Sequence, residues 1–121
     1  MVKIIVAEDD LNIRQYLVRT LKSKGYKVKE AGDGKEALDL INSGYVPDIL
    51  TTDINMPRMN GYELIRELSK KGYSFPILII TTDWEKVSVD EYKGNTEYMS
   101  KSSIILSGSK LEEKVEELIQ N

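Results

Sequence analysis

Short apolar runs alternate with helical patterns along the chain, and this alternation most restricts the fold. Runs typical of strands lie at residues 3–7, 26–31, 48–52, 75–80 and 98–100. Between most of them, apolar residues recur three or four positions apart, which predicts amphipathic helices. The run at 26–31 alternates polar and apolar side chains, as in an edge strand with one solvated face. Strands that alternate with helices in this way predict an α/β fold, a doubly wound five-stranded parallel sheet with helices on both faces.

Polar side chains follow the carboxyl ends of four of these strands. Glu8 and Asp9 follow the first run, and Asp53 follows the run at 48–52. Thr81 ends the next strand, and Lys101 follows the last one. Because open α/β sheets hold their ligands at the carboxyl ends of the strands, we expect these groups to share one edge. Carboxylates, a hydroxyl and an ammonium together predict a magnesium and phosphoryl site.

The composition excludes several other kinds of site. The chain has no Cys and no His, which removes disulfides, thiolate catalysis and the commonest transition-metal ligand. A bound metal ion must therefore prefer oxygen ligands, as Mg²⁺ and Ca²⁺ do. The net charge is −3, from 17 basic and 20 acidic residues, and does not predict a surface that binds nucleic acid.

The length and the amino-terminal residues bound the organisation of the protein. A chain of 121 residues predicts one domain over residues 1–121, with no output domain attached. Residues 1–7 do not resemble a signal peptide, and no apolar run approaches the about 20 residues that span a membrane. We therefore expect a cytoplasmic monomer that binds neither a membrane nor nucleic acid directly.

The stretch from residue 82 to residue 95 fits the alternating pattern least well. Two of its apolar residues, Val87 and Val89, are two positions apart and cannot share one face of a helix. The sequence predicts a short, weakly amphipathic helix here, which we expect to be the least stable element of the fold.

The string at residues 53–61, DINMPRMNG, resembles the phosphoacceptor loop of receiver domains in two-component signalling, of the single-domain chemotaxis-regulator kind. Glu8 with Asp9, Thr81 and Lys101 resemble the other motif positions of that family, in the correct order. The resemblance implies the flavodoxin-like strand order 2-1-3-4-5, with the site at the switch point beside the first strand.

The resemblance also implies a role for each motif residue. Asp53 would accept a phosphoryl group from a histidine kinase or a phosphotransfer protein, and Thr81 and Lys101 would bind the phosphoryl oxygens. The ligands of Mg²⁺ would be the carboxylates of Asp9 and Asp53, the backbone carbonyl of Asn55 and, through a water, Glu8. Tyr98 and Thr81 would form the switch. The chain would catalyse only its own phosphorylation and dephosphorylation.

The resemblance implies that signalling passes through a face that binds its partner in a phosphorylation-dependent way. We expect this face to comprise residues 84–92, the strand that holds Tyr98 and the final helix. The output protein that binds there is not identified by any feature of the sequence.

The residue after Lys101 departs from the family, because Ser102 stands where receiver domains usually have proline. A cis bond before a residue other than proline costs roughly 2.5–4 kcal/mol. The segment at 102–108 is also longer than usual, which would give the chain slack. We therefore expect a trans bond between Lys101 and Ser102, with phosphoryl capture slower than in relatives that have the proline.

Two other functions stay open at this point. A pseudo-receiver would keep the fold as a binding module without switching, and the missing proline favours that interpretation. A Mg²⁺-dependent phosphohydrolase with an aspartyl nucleophile would need a second aspartate two positions after Asp53, where Asn55 stands.

Overall fold

Five parallel strands form one sheet in the computed structural model, which describes residues 1–82, 89, 91–106 and 109–120. The sheet has the order β2-β1-β3-β4-β5, so the predicted order is confirmed. The strands are β1 (Lys3–Ala7), β2 (Lys27–Ala31), β3 (Ile49–Thr52), β4 (Ile77–Thr81) and β5 (Thr96–Ser100). As predicted, β2 lies at an edge of the sheet. All five residues of β4 are buried.

The helices of the described chain begin and end where local hydrogen bonding supports them. They are α1 (Leu11–Lys22), α2 (Gly34–Asn42), α3 (Gly61–Lys70), α4 (Lys101–Leu106) and α5 (Ser109–Gln120). The carboxylate of Asp10 caps α1 by accepting a hydrogen bond from the amide of Ile13 at 3.0 Å. Asn60 and Glu63 form a reciprocal capping box that starts α3. These two caps fix the points at which α1 and α3 begin after the loops that follow β1 and β3.

The core lies on both faces of the sheet because successive side chains of a strand point to opposite faces. On one face, Ile5 and Leu50 pack with the apolar residues of α2 and α3. On the other face, Ile4 and Ile49 pack with those of α1 and α5. The doubly wound architecture predicted from the alternating pattern is therefore confirmed.

The chain after β5 forms a short helix that the sequence pattern does not predict. Residues 101–106 are helical, whereas slack was expected there. Ile104 is 2% exposed and packs in the core on the α1 and α5 face, while Ile105 is 60% exposed. The described chain contains no cis peptide bond, so the bond between Lys101 and Ser102 is trans, as predicted.

Half of the weakly patterned stretch at 82–95 lies outside the described residues, which omit 83–88 and 90. The helix predicted there and the part of the output face at 84–92 therefore stay predictions. In the described part of this stretch, Tyr92 is buried, and its hydroxyl donates a hydrogen bond to the carbonyl of Phe75. Among the helices that the structure describes, none is long and apolar enough to cross a lipid bilayer.

Candidate functional site

Three carboxylates meet at the carboxyl edge of the sheet. The parallel register pairs Ala7 of β1 with Thr52 of β3, so the residues that follow these two strands are neighbours. One carboxylate oxygen from each of Glu8, Asp9 and Asp53 lies within 4.8 Å of the other two. Glu8 and Asp53 are buried and Asp9 is exposed. The cluster predicted from strand ends is thus formed in the structure.

The ammonium of Lys101 lies between two of these carboxylates. Its Nζ is 2.7 Å from Oδ2 of Asp53 and 2.9 Å from Oε1 of Glu8. Lys101 follows β5, two strands away from Asp53, and its long side chain crosses the end of β4. Burial alone would lower the pKa of Lys101, but the bonds with Asp53 and Glu8 outweigh burial and raise it. The ammonium therefore stays charged and neutralises part of the cluster.

The buried carboxyl of Glu8 lies in an environment that disfavours its ionised form. Burial raises the pKa of its carboxyl from 4.5 to about 7, although the amide of Asp10 and the ammonium of Lys101 favour the ionised form. A nearby cation would stabilise the ionised form further. The family resemblance implies that Glu8 holds a metal-bound water, but it does not imply the direct ion pair with Lys101.

The backbone around Asp53 is closely packed against α3. Oδ1 of Asp53 accepts a hydrogen bond from the amide of Ile54 at 2.7 Å. A Cβ atom added at Gly61 would lie 2.3 Å from the backbone carbonyl oxygen of Asp53. The first residue of α3 must therefore be glycine for the helix to start this close to the phosphoacceptor candidate.

The remaining predicted site residues lie around this cluster. Thr81 is buried at the end of β4, between the strands that precede Asp53 and Lys101. Asn55 is exposed in the loop after β3. Tyr98 is half-buried on β5 and packs against the core on the α2 and α3 face. Their proposed roles in metal binding, phosphoryl binding and switching stay predictions.

Arg14 supports the site, although no sequence motif indicates that it does. Its Nη1 donates to the backbone carbonyl of Glu8 at 2.8 Å, and its Nε donates to Oε1 of Glu30 at 3.0 Å. The guanidinium thus links α1 and β2 to the turn that presents Glu8 and Asp9. An arginine one turn into α1 is compatible with such a contact, but only the fold brings Glu30 within reach.

An apolar groove of about 200 Å³ lies beside Lys101, between α1 and α4. It is lined mainly by Ile13, Tyr16, Leu17, Ile80, Ile104 and Ile105. These side chains offer neither carboxylate oxygens for a metal nor several donors for a phosphoryl group. The chemistry of the site is therefore confined to the carboxylate cluster, and the groove borders it.

A model of the response regulator receiver domain matches residues 4–116. The chain belongs to this family. Receiver domains are signalling modules of two-component systems that bind Mg²⁺ and interact with histidine kinases and output domains.

Among curated relatives, the response regulator MprA of Mycolicibacterium vanbaalenii is 46% identical over 80 residues, which are 66% of this chain and 34% of that protein. MprA of Mycobacterium tuberculosis is equally similar, also at 46% over 80 residues. The chain thus spans about a third of the length of these relatives.

Two solved structures show how closely the fold follows the family. The receiver domain of Francisella response regulator 1452 is 28% identical, with a TM-score of 0.83 over 99% of this chain and 98% of that one. TrrA of Thermotoga maritima, solved in complex with Mg²⁺ and BeF, is 34% identical, with a TM-score of 0.83 over 98% of this chain and 99% of that one.

Proposed function

We propose that this receiver domain accepts a phosphoryl group on Asp53, from a histidine kinase or a phosphotransfer protein, in a Mg²⁺-dependent reaction. The observation that carries the proposal is the 2.7 Å contact between Nζ of Lys101 and Oδ2 of Asp53, inside the carboxylate cluster. An ammonium beside a nucleophilic carboxylate is the charge arrangement that an incoming phosphoryl group needs.

The donor set at this edge fits Mg²⁺. Glu8, Asp9 and Asp53 provide oxygen atoms only, and their three carboxylates outweigh the charge of one ammonium. Asp9 and Asp53 would bind the ion directly, Asn55 would add its backbone carbonyl, and Glu8 would hold a bound water. Few protein ligands are needed because Mg²⁺ keeps several of its waters. The bound ion would supply positive charge next to the transferred phosphoryl group.

The proposed reaction is a displacement at phosphorus. A carboxylate oxygen of Asp53 forms a bond to phosphorus, and the bond from phosphorus to the nitrogen of a donor phosphohistidine breaks. The electron pair of that bond stays on the imidazole nitrogen, so the donor leaves as a histidine side chain. The product is an acyl phosphate at Asp53, whose phosphoryl group carries about 1.5 to 2 negative charges in place of the single charge of the carboxylate. Water later hydrolyses this acyl phosphate, and we propose no other reaction for the chain.

Lys101 and Thr81 would hold the transferred group. The ammonium of Lys101 already contacts the oxygen of Asp53, so a small movement would pair it with a phosphoryl oxygen. Thr81 ends β4, the strand between the other two groups, and its hydroxyl would donate to a second phosphoryl oxygen. Movement of Thr81 toward the phosphoryl group would let Tyr98 turn inward and change the face that an output protein binds.

Phosphorylation by a small donor tests the proposal. The protein is incubated with acetyl phosphate in the presence and absence of Mg²⁺, and its intact mass is measured. We expect a gain of one phosphoryl mass with Mg²⁺, and almost none without it or in the Asp53→Asn variant. Equal phosphorylation of Asp53→Asn and the wild type would refute the assignment of Asp53.

The same experiment separates a receiver from a pseudo-receiver. A protein that keeps its fold, as shown by circular dichroism, but gains no mass at any Mg²⁺ concentration would be a binding module. The 2.7 Å contact between Lys101 and Asp53 favours the receiver. The ammonium reaches the phosphoacceptor candidate although Ser102, and not the usual proline, follows Lys101.

A further inference from the structure

The loop at residues 54–60 connects Asp53 to α3 and contains Asn55, the proposed source of a backbone carbonyl ligand. Its two ends are held by backbone hydrogen bonds. The amide of Gly61 donates to the carbonyl of Ile54 at 2.9 Å, and the amide of Gly34 donates to the carbonyl of Met59 at 2.9 Å. The loop is therefore attached to the amino-terminal ends of both α3 and α2.

Arg58 forms a strained turn within this loop. Its φ angle is 63°, and it is the one residue other than glycine with a positive φ in the described part of the chain. The amide of Met59 donates to the carbonyl of Pro57 at 2.6 Å, which closes a three-residue turn around Arg58. Such turns with a positive φ at the centre are rare and strained for a residue with a side chain. Another contact must therefore hold Arg58 in this conformation.

The side chain of Arg58 supplies that contact. Its Nε donates to Oδ2 of Asp33 at 2.8 Å, and its Nη2 lies 3.4 Å from Oδ1. The Asp33 side chain is 8% exposed, whereas that of Arg58 is 59% exposed. Oδ1 of Asp33 also accepts a hydrogen bond from the amide of Glu36 at 2.9 Å, which fixes it at the start of α2. Arg58 is thus bound through two nitrogens to a carboxylate that cannot easily move.

The packing of α2 leaves the turn little room to relax. A Cβ atom added at Gly34 would lie 2.5 Å from the carbonyl oxygen of Met59. The turn is therefore pressed against α2 on one side and held by Asp33 on the other. Only Met56 and Pro57 separate Asn55 from Arg58, so a shift of the turn would move the Asn55 carbonyl as well.

We propose that Arg58 is a positioning residue for the metal site. Its bond with Asp33 holds the strained turn, and the turn holds the Asn55 carbonyl in line with the carboxylates of Asp9 and Asp53. This inference rests on the proposed function, because it assigns Arg58 a part in the same Mg²⁺ site. Arg58 itself would contact neither the ion nor the phosphoryl group.

Calorimetric Mg²⁺ titration combined with chemical denaturation tests this role. We expect Arg58→Ala to weaken Mg²⁺ binding by about three- to tenfold, at or below the lower end of what the loss of an outer partner of a metal site costs. Asp33→Asn should weaken binding to the same degree, because asparagine can still cap α2 but forms no ion pair. The double variant should bind like either single variant, since both remove one interaction.

Two further variants separate positioning from stability. Arg58→Gly loses the bond with Asp33 but adopts a positive φ without strain, so it should be more stable than Arg58→Ala and recover part of the lost Mg²⁺ affinity. Lys35→Ala removes a 3.0 Å ion pair with Asp39 on the surface of α2 and should leave Mg²⁺ binding unchanged.

The outcomes distinguish the inference from the proposal on which it rests. Wild-type affinity in Arg58→Ala, or an Arg58→Gly variant that binds Mg²⁺ no more tightly than Arg58→Ala, would overturn the positioning role and leave the Mg²⁺ site intact. A wild-type protein that binds no Mg²⁺ would overturn the proposed function and the inference together.

Discussion

The loop after β3 and the segment after β5 both bring a charged group to the same edge of the sheet, but they are held in different ways. The loop at 54–60 is fixed by backbone hydrogen bonds to Gly34 and Gly61 and by the ion pair of Arg58 with Asp33. The segment at 101–106 is a short helix whose main apolar anchor is Ile104, with Ile105 and Leu106 exposed.

The difference explains why one region can be predicted and the other cannot. Backbone hydrogen bonds and close glycine contacts require particular residues at fixed positions. These requirements are visible in the sequence as the motif at 53–61. The short helix at 101–106 is held by one apolar side chain, which requires no comparable motif in the sequence. It still delivers Lys101 to within 2.7 Å of Asp53. Accurate placement of a functional group therefore does not require a recognisable motif around it.

The largest effect is expected from removing the charge that the segment after β5 delivers. Lys101→Met should slow phosphorylation by acetyl phosphate by about 100-fold, comparable to the loss of one preorganised donor to a developing anion. Mg²⁺ binding should be retained or strengthened, because the ammonium no longer competes for Glu8 and Asp53. A time course of intact mass measures the rate, and Lys114→Met on α5 is the control. A rate equal to that of the wild type would show that Lys101 only balances charge in the resting protein.

Much of this site follows from the sequence, and the missing parts share a physical cause. The carboxylates of Glu8, Asp9 and Asp53 could be placed together because parallel strands end at a common edge. The ion pair of Glu8 with Lys101 and the contact of Arg14 with the Glu8 carbonyl depend on side-chain reach across the fold, which no periodicity encodes.

The helices also differ in how far the sequence predicts them. The runs that form α1, α2 and α3 have apolar residues at helical spacing and glycines at their carboxyl ends, and all three are confirmed. The three apolar residues of α4 are consecutive, at 104–106, and the rest of its neighbourhood is rich in serine. Such a run has no helical period, so packing of Ile104 rather than local pattern decides that the segment is helical.

Substitution of the two adjacent isoleucines in α4 tests whether this helix depends on the buried side chain of Ile104 alone. Ile104→Ala should lower the free energy of unfolding by about 2–4 kcal/mol, because it removes buried methyl groups and leaves a cavity. Ile105→Ala is the matched control and should change it by less than about 0.5 kcal/mol, because this side chain is exposed. Chemical denaturation followed by circular dichroism measures both. Equal losses in the two variants would contradict the single-anchor description.

Substitution of Gly61, at the start of α3, tests how tightly the loop after β3 is packed. Gly61→Ala should destabilise the fold by about 1–3 kcal/mol, because the added Cβ would lie 2.3 Å from the Asp53 carbonyl oxygen. Helix propensity alone predicts the opposite sign, since alanine is the better helix former. Denaturant midpoints measure the change, with Lys22→Ala as a surface control. A more stable Gly61→Ala variant would show that the loop can move away from α3.

The smallest effect concerns pH and the ion pair that holds the loop. The hydrogen bond from Arg58 is the main cause that keeps the pKa of Asp33 below its ordinary value of 3.8. The carboxyl of Asp33 therefore takes up its proton at a lower pH in the folded protein than in the unfolded chain. The ion pair stabilises the folded state fully above about pH 3.8, and this stabilisation disappears as the pH falls through the lowered pKa.

Thermal unfolding of the wild type and of Arg58→Ala measures this pH effect. The difference between their melting temperatures should narrow as the pH is lowered from about 6 to about 3, because protonation of Asp33 removes the pair in the wild type. A difference that stays constant over this range would mean that Arg58 stabilises the loop without help from the Asp33 charge.

Chemical mapping of the phosphoryl group tests the central claim most directly. After incubation with acetyl phosphate and Mg²⁺, borohydride reduction converts an aspartyl phosphate into homoserine, and peptide mass spectrometry locates the converted residue. We predict conversion at Asp53 in the wild type, strongly reduced in Lys101→Met and absent without Mg²⁺. Conversion at Asp9 or another carboxylate, with Asp53 unmodified, would contradict the account.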